Sequence, residues 1–408
     1  MEKCAPYYLG AGIDIYVYDS SDDDDTKHVL DKWKGENKEN VYYVRMPSEL
    51  HANMKVYKIW QFYGLKKQYD FVWMSGDALQ LSRRAIESIM VNLKPEYDMV
   101  ELDVFDEDEI GVRVYEQPDR LFAENAWKTT LFGVMILNAQ TFLSGIDWNY
   151  YEAKYSQPRL IHYSHVSLYF SRAVQLSDFR CMHLPLAREH TGSEYKKESS
   201  WKKDTFAVIC EGWVTTIKKM PAYYSNRRKV MLDLGINSVF RDQCNFLDLR
   251  REGIYSLNVF LRYFLTWGRV CNVGYWELFW IAFSYKVGKR HINQTFVSKL
   301  RKMRKRYKFL FLYGAGIVGE RYGKYLSQNG LEYEGYLVTK VSGNKEKLND
   351  HKIMEIKDLD NIGKFGIIVA VSDKLSEEVL MQLQECGYGR QVYYSSELSG
   401  WIRYTDQL

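Results

Sequence analysis

Gly12-Ile-Asp-Ile-Tyr-Val-Tyr-Asp19-Ser-Ser-Asp-Asp-Asp-Asp25-Thr26 is a short alternating apolar strand that breaks at once into acidic and hydroxylated side chains. A strand ending in Asp-Ser-Ser puts a carboxylate at the carboxyl edge of a sheet, where open α/β folds bind their ligands. One carboxylate there can accept hydrogen bonds from a base or a ribose. Four in a row cannot all do so, and Asp22 to Asp25 read as a solvated turn and the cap of a following helix, ending at Thr26. A surface acidic loop is the alternative reading of the whole stretch.

Tyr69-Asp-Phe-Val-Trp-Met-Ser-Gly-Asp77 repeats the design, with a strand over 71–74 running into a small-small-acid sequence. Two strands of one sheet, each delivering an Asp at its carboxyl end, make a nucleotide and metal site. Between them, Val41-Tyr-Tyr-Val-Arg45 reads as an edge strand, and the spacing of Val56, Ile59, Trp60 and Tyr63 predicts a helix over 55–63. Lys55 could approach a phosphate or simply be solvated.

In order and spacing, Asp19-Ser20-Ser21 and the later Ser75-Gly76-Asp77 resemble the nucleotide-binding half of the family 2 glycosyltransferases, which have the GT-A fold. The resemblance covers residues 1–230. It implies that Asp19, with Ser20 and Ser21, contacts the nucleoside of a nucleotide-sugar donor. It also implies that Asp77 holds a divalent cation, Mg²⁺ or Mn²⁺, against the diphosphate. The sugar would pass to a glycan or lipid-linked acceptor, in surface polysaccharide assembly. Two features depart from the pattern. The family opens with an apolar strand ending in Pro and an aromatic residue, whereas this sequence begins in what reads as the following helix, residues 1–9; either the start is truncated or misassigned, or the fold manages without that strand. The metal motif carries one acid where many members have two, although one carboxylate with phosphate oxygens and waters can hold a hard cation.

An inverting transferase needs a base to take the acceptor hydroxyl's proton. Family members commonly supply it from an acidic pair after a strand preceded by glycine. Here Gly133 precedes the apolar Val-Met-Ile-Leu137, where it allows close backbone approach or a bulge, and the later stretch reads Ile161-His-Tyr-Ser-His165 with no acidic pair. His165 is the first candidate base, with His162 and Asp147 behind it, because imidazole titrates near neutrality. A histidine at a helix start making only a backbone contact is the alternative. Arg227-Arg-Lys229 could meet a diphosphate or form a solvated basic turn.

Bulk properties bound these readings. A chain of 408 residues suggests two or three domains, and 46% hydrophobic residues support full-sized cores. A net charge of +4 is too near neutral to argue for a nucleic-acid partner. The six cysteines form no close pair, so neither a disulfide framework nor a zinc site is indicated, and a reducing cytoplasm fits. The first ten residues lack the basic and apolar regions of a signal peptide. The 15% aromatic content is compatible with carbohydrate stacking, or reflects composition alone.

Residues 255–267 and 273–287 are aromatic and helical in period, but Arg262, Arg269, Glu277 and Lys286 interrupt them, leaving neither apolar enough to span a bilayer. They read as a helical bundle. Peripheral contact at the inner face of the membrane is the alternative, given the basic run 299–306. Phe309-Leu-Phe-Leu-Tyr313 then leads into Gly314-Ala-Gly316-Ile-Val-Gly319 and a predicted helix, a strand–glycine–helix order that makes a phosphate-binding fingerprint credible. Val338-Thr339-Lys340 stands where a ribose-binding acid would end the second strand. The domain resembles small Rossmann-like modules beside sugar-modifying enzymes, some of which bind nucleotide sugars; structural and ligand-binding roles both stay open.

The fold class expected is therefore α/β: a GT-A-like mixed-sheet domain over 1–230, a helical connecting region over 231–305 and a Rossmann-like parallel-sheet domain over 306–408. The function expected is glycosyl transfer, or, without chemistry, nucleotide-sugar recognition by a degenerate transferase scaffold.

Overall fold

The computed structural model describes residues 5–34, 40–50, 52–76, 79–106, 111–155, 162–192, 202–341, 346–359 and 364–406. The fold is mixed α/β. It divides into two compact units, residues 1–239 with 265–272 and residues 240–264 with 273–408, so the segment 231–305 is shared between them.

In the first unit, β1 (Ile15–Asp19) and β2 (Val41–Arg45) pair in parallel, with Asp19 opposite Arg45. A five-stranded sheet contains β3 (Phe71–Trp73), β5 (Met99–Asp103), β6 (Arg113–Tyr115), β7 (Met135–Asn138) and β8 (Cys181–Pro185), in the order β3-β7-β5-β8-β6. A short antiparallel pair joins β4 (Leu79–Leu81) to β9 (His190–Gly192). The expectation that both acid-ended strands share one sheet is corrected: ladder bonds join β1 to β2 and β3 to β7. Side chains link the two regions instead. Tyr69, just ahead of β3, donates its hydroxyl to Asp14 at 2.6 Å and meets the Tyr16 hydroxyl at 2.8 Å.

β5 and β7 are buried along their whole length, as is β8 up to Leu184. Strands enclosed on both faces need near-continuous apolar runs, which Met99-Val-Glu-Leu-Asp103 and Cys181-Met-His-Leu-Pro185 supply except at Glu101, Asp103 and His183. Ser82 caps the helix Arg83–Asn92 by accepting the Ala85 amide, and Ala85, Ile86 and Ile89 turn inward.

In the second unit, the aromatic stretch forms short helices, Leu257–Arg262 and Tyr275–Phe283, before the long helix Tyr285–Arg306. No described helix is long and apolar enough to cross a membrane. The sheet contains β10 (Phe309–Tyr313), β11 (Gly335–Val338), β12 (Lys347–Leu348), β13 (His351–Glu355), β14 (Phe365–Val369) and β15 (Val392–Tyr393). Its order is β12-β13-β11-β10-β14-β15, and every pairing except that of β12 with β13 is parallel. Chain order therefore reverses between β10 and β14, where such sheets open a crevice. Phe311, Leu337, Phe365, Ile367 and Leu383 belong to the buried core of this unit.

The loop after β10 shows why glycines recur. Gly314 has φ +115°, and a Cβ would lie 2.6 Å from the Ala370 carbonyl oxygen at the end of β14. A Cβ on Gly319 would lie 1.9 Å from the Gly314 carbonyl oxygen, whereas one on Gly316 would meet nothing within 4 Å. Gly319→Ala is accordingly expected to lower stability by about 3 kcal/mol, and Gly316→Ala by no more than about 1 kcal/mol, in denaturant unfolding. Equal losses would contradict this account of the loop.

Candidate functional site

Asp19 ends β1 as the sequence indicates, but its carboxylate is already occupied. Oδ1 accepts the Ser21 amide at 2.9 Å and the Ser21 hydroxyl at 2.5 Å. Oδ2 accepts the Tyr43 hydroxyl at 2.8 Å and lies 3.4 Å from the Arg45 guanidinium. Burial alone would raise this carboxyl, yet the Ser21, Tyr43 and Arg45 contacts hold it below the usual carboxylate range. Arg45 also reaches the Ser21 carbonyl and Asp24, while Lys55 donates to the Ser20 hydroxyl. Asp23 accepts the Asp25 amide at the start of the helix Asp25–Lys34, in keeping with an exposed capping turn. The strand end is thus a closed polar knot around Asp19.

Asp77 lies outside the described residues, but its neighbours Ser75 and Gly76 are placed against the loop that leads into β7. Gly133 in that loop has φ +103°, and a Cβ there would lie 2.6 Å from Leu79 and 3.3 Å from the Ser75 hydroxyl. Its carbonyl accepts Trp73 Nε1 at 2.7 Å. A Cβ on Gly76 would stand 3.5 Å from Phe132. Phe132 in turn packs on the His165 ring, centroids 4.4 Å apart. The loop therefore bridges Ser75-Gly76 and His165, which stand 90 positions apart in the chain.

His165 is 1% exposed on the helix Ser164–Ala173, and its Nε2 lies 3.3 Å from the Thr130 carbonyl. Burial drives its pKa down to about 4, against smaller opposing effects from the Thr130 and Thr129 carbonyls. As a base it would be neutral but weak, and an acceptor would reach it only if the 129–133 loop moved. Asp147 accepts the Tyr150 amide at 3.0 Å, and burial holds His162 below its ordinary value. The basic turn is largely engaged: Arg227 donates to the carbonyls of Lys218, Met220, Pro221 and Tyr224, and Lys229 to that of Ala123.

Sequence reasoning missed the group beneath this loop. Glu101 and His183 are register partners on the parallel strands β5 and β8, with Glu101 Oε2 2.9 Å from His183 Nδ1. His183 Nε2 lies 3.5 Å from Asp103 Oδ2, which accepts the Lys128 ammonium at 2.5 Å. Asn125 donates to Glu101 Oε2 at 2.8 Å. Two carboxylates thus face one ammonium and one imidazole, all buried. Burial pushes the Glu101 carboxyl up, against the pull of His183 and Lys128, and among the described residues its Oε1 has no hydrogen-bond partner. The signal available in sequence was an acid at alternate positions of an otherwise apolar, doubly covered strand. Among the described residues no group of three or more His, Cys, Asp or Glu could hold a metal ion.

In the second unit, the Gly316 backbone begins the helix Ile317–Gln328 with no side-chain cap. Thr339, where a ribose-binding acid would stand, shares a 2.7 Å hydrogen bond with the Tyr313 hydroxyl.

Two outcomes follow for the first unit. Lys128→Met removes the ammonium paired with the buried Asp103 and should cost about 3–5 kcal/mol, whereas adding Asp103→Leu should recover most of the loss in a double-mutant cycle. His165 binds a proton more readily unfolded than folded, so it contributes stability above pH 6.5 that is lost as the pH falls toward 4. His165→Phe should remove roughly 3 kcal/mol of that acid lability from the stability–pH curve. An unchanged slope between pH 6.5 and 4 would contradict the buried neutral imidazole.

No family model matches the chain, and neither does any curated protein or solved structure.

Proposed function

We propose that the first unit is a GT-A-like glycosyltransferase domain using a nucleotide-sugar donor, and that the second is a Rossmann-like module binding a phosphorylated ligand at Gly314–Gly319. The observation that carries this reading is the 128–134 loop. It brings Ser75-Gly76, the Gly133 backbone and His165 to one place at the end of a mixed sheet, and fastens them over the Asp103–Lys128 pair. A transfer site needs a donor diphosphate, a close backbone and a proton acceptor within one locality. In this reading Asp77 holds Mg²⁺ or Mn²⁺ against the diphosphate, and Asp19, Ser20 and Ser21 shape the nucleoside side. His165 is the nominated base. The acceptor is a glycan or lipid-linked hydroxyl, and the setting is surface polysaccharide assembly at the cytoplasmic side of a membrane.

The saturation of Asp19 by Ser21, Tyr43 and Arg45 favours a second reading, a nucleotide-sugar-binding scaffold without chemistry. Incubation of the full chain with Mn²⁺ and a panel of nucleotide sugars separates the two. Donor hydrolysis that drops by at least about 100-fold in Asp77→Ala supports the transferase. Thermal stabilisation by a nucleotide sugar with no turnover overturns it in favour of the scaffold.

A further inference from the structure

The second unit contains a cleft of about 580 Å³ that the donor-site reading does not use. It lies between the first turns of the helix Tyr285–Arg306, the end of the helix Ile317–Gln328 and the helix Ser396–Asp406. Its size falls within the range of small-molecule sites. Lys286, Lys289 and Arg290 line it, and none of its ten lining residues is acidic.

The floor is fixed by amides. Asn293 Oδ1 accepts the Tyr325 hydroxyl at 2.8 Å and Trp401 Nε1 at 3.1 Å, and its Nδ2 donates to Asn329 Oδ1 at 2.9 Å. Asn329 Nδ2 donates to the Tyr325 carbonyl at 2.8 Å. One asparagine thus ties together side chains from three helical segments before any ligand arrives. The cations are in the opposite condition: Lys286, Lys289 and Arg290 have no ion pair or hydrogen bond among the described residues. Elsewhere on the same helix, Arg304 donates to two carbonyls and Lys299 and Arg306 sit over aromatic rings. Asp406, next to the lining Thr405, is already paired with Arg321 at 2.9 Å.

Three uncompensated cations within five residues repel one another and concentrate anions at the mouth of the cleft. Two ammonium groups and one guanidinium fork suit the several oxygens of a phosphate, and the half-buried Tyr285 ring lines the cleft beside them. We propose that this cleft binds a phosphate ester, carried either by a small soluble molecule or by a lipid headgroup.

The test titrates the full chain with inorganic pyrophosphate and glycerol 3-phosphate, and separately with phosphatidylglycerol and phosphatidylcholine vesicles. Binding to the soluble probes, or to phosphatidylglycerol vesicles alone, identifies the source. In either case Lys286→Gln/Lys289→Gln/Arg290→Gln should weaken binding by at least about tenfold, while Lys302→Gln/Lys305→Gln on the same helix changes it by less than about twofold. Should the triple variant fail to fold, the exposed Lys286→Gln alone must weaken binding by roughly threefold. Undiminished binding in the cleft variants, equal loss in the control, or no binding to any probe overturns the proposal.

Discussion

The first unit is organised around charge compensation inside a sheet. Glu101 and Asp103 are fully buried on the same strand, and the chain meets them with His183 from the neighbouring parallel strand and Lys128 from the loop before β7. Each partner is far from the others in sequence, so the pairing holds only when β5, β8 and the 128–134 loop are all in place. Desolvating four ionisable groups weakens rather than adds net stability unless every contact forms together. The result is selectivity for one register: sliding β8 by one residue would turn His183 away and strand Glu101.

Much of the architecture could be read from local pattern. β2 and β10 occupy the residues expected of them, and β3 falls within a residue of its expected span, because apolar runs bounded by polar turns carry their own signal. The glycines after β10 were equally legible, since steric need ties Gly314 and Gly319 to their positions. Sheet membership was not. Whether β1 joins β3 depends on pairing between distant segments, and alternation within a strand says nothing about its neighbour.

The site was less legible than the fold for a related reason. Asp19 looks available in sequence because its partners Tyr43 and Arg45 lie on another strand. His165 looks titratable until Phe132 and the Thr130 carbonyl close over it. Conversely, Glu101, Asp103, Lys128 and His183 attract no notice one at a time, since an isolated charged residue is ordinarily solvated. Only proximity in space makes them a group, and proximity is what a linear pattern lacks.

The two-stranded β1–β2 ribbon has a further consequence. A ladder of two strands is marginal by itself, and the ladder bonds of β1 run only to β2 among the described residues. Among its ties beyond that ladder are hydroxyl contacts such as Tyr69 with Asp14 and Tyr18 with Tyr63. The segment bearing Asp19 can therefore open as a small cooperative unit while the buried strands β5, β7 and β8 stay shut. Its amide protons would exchange with solvent earlier than theirs, so the polar knot at the strand end is rigid in its internal geometry yet only lightly moored to the domain that carries it.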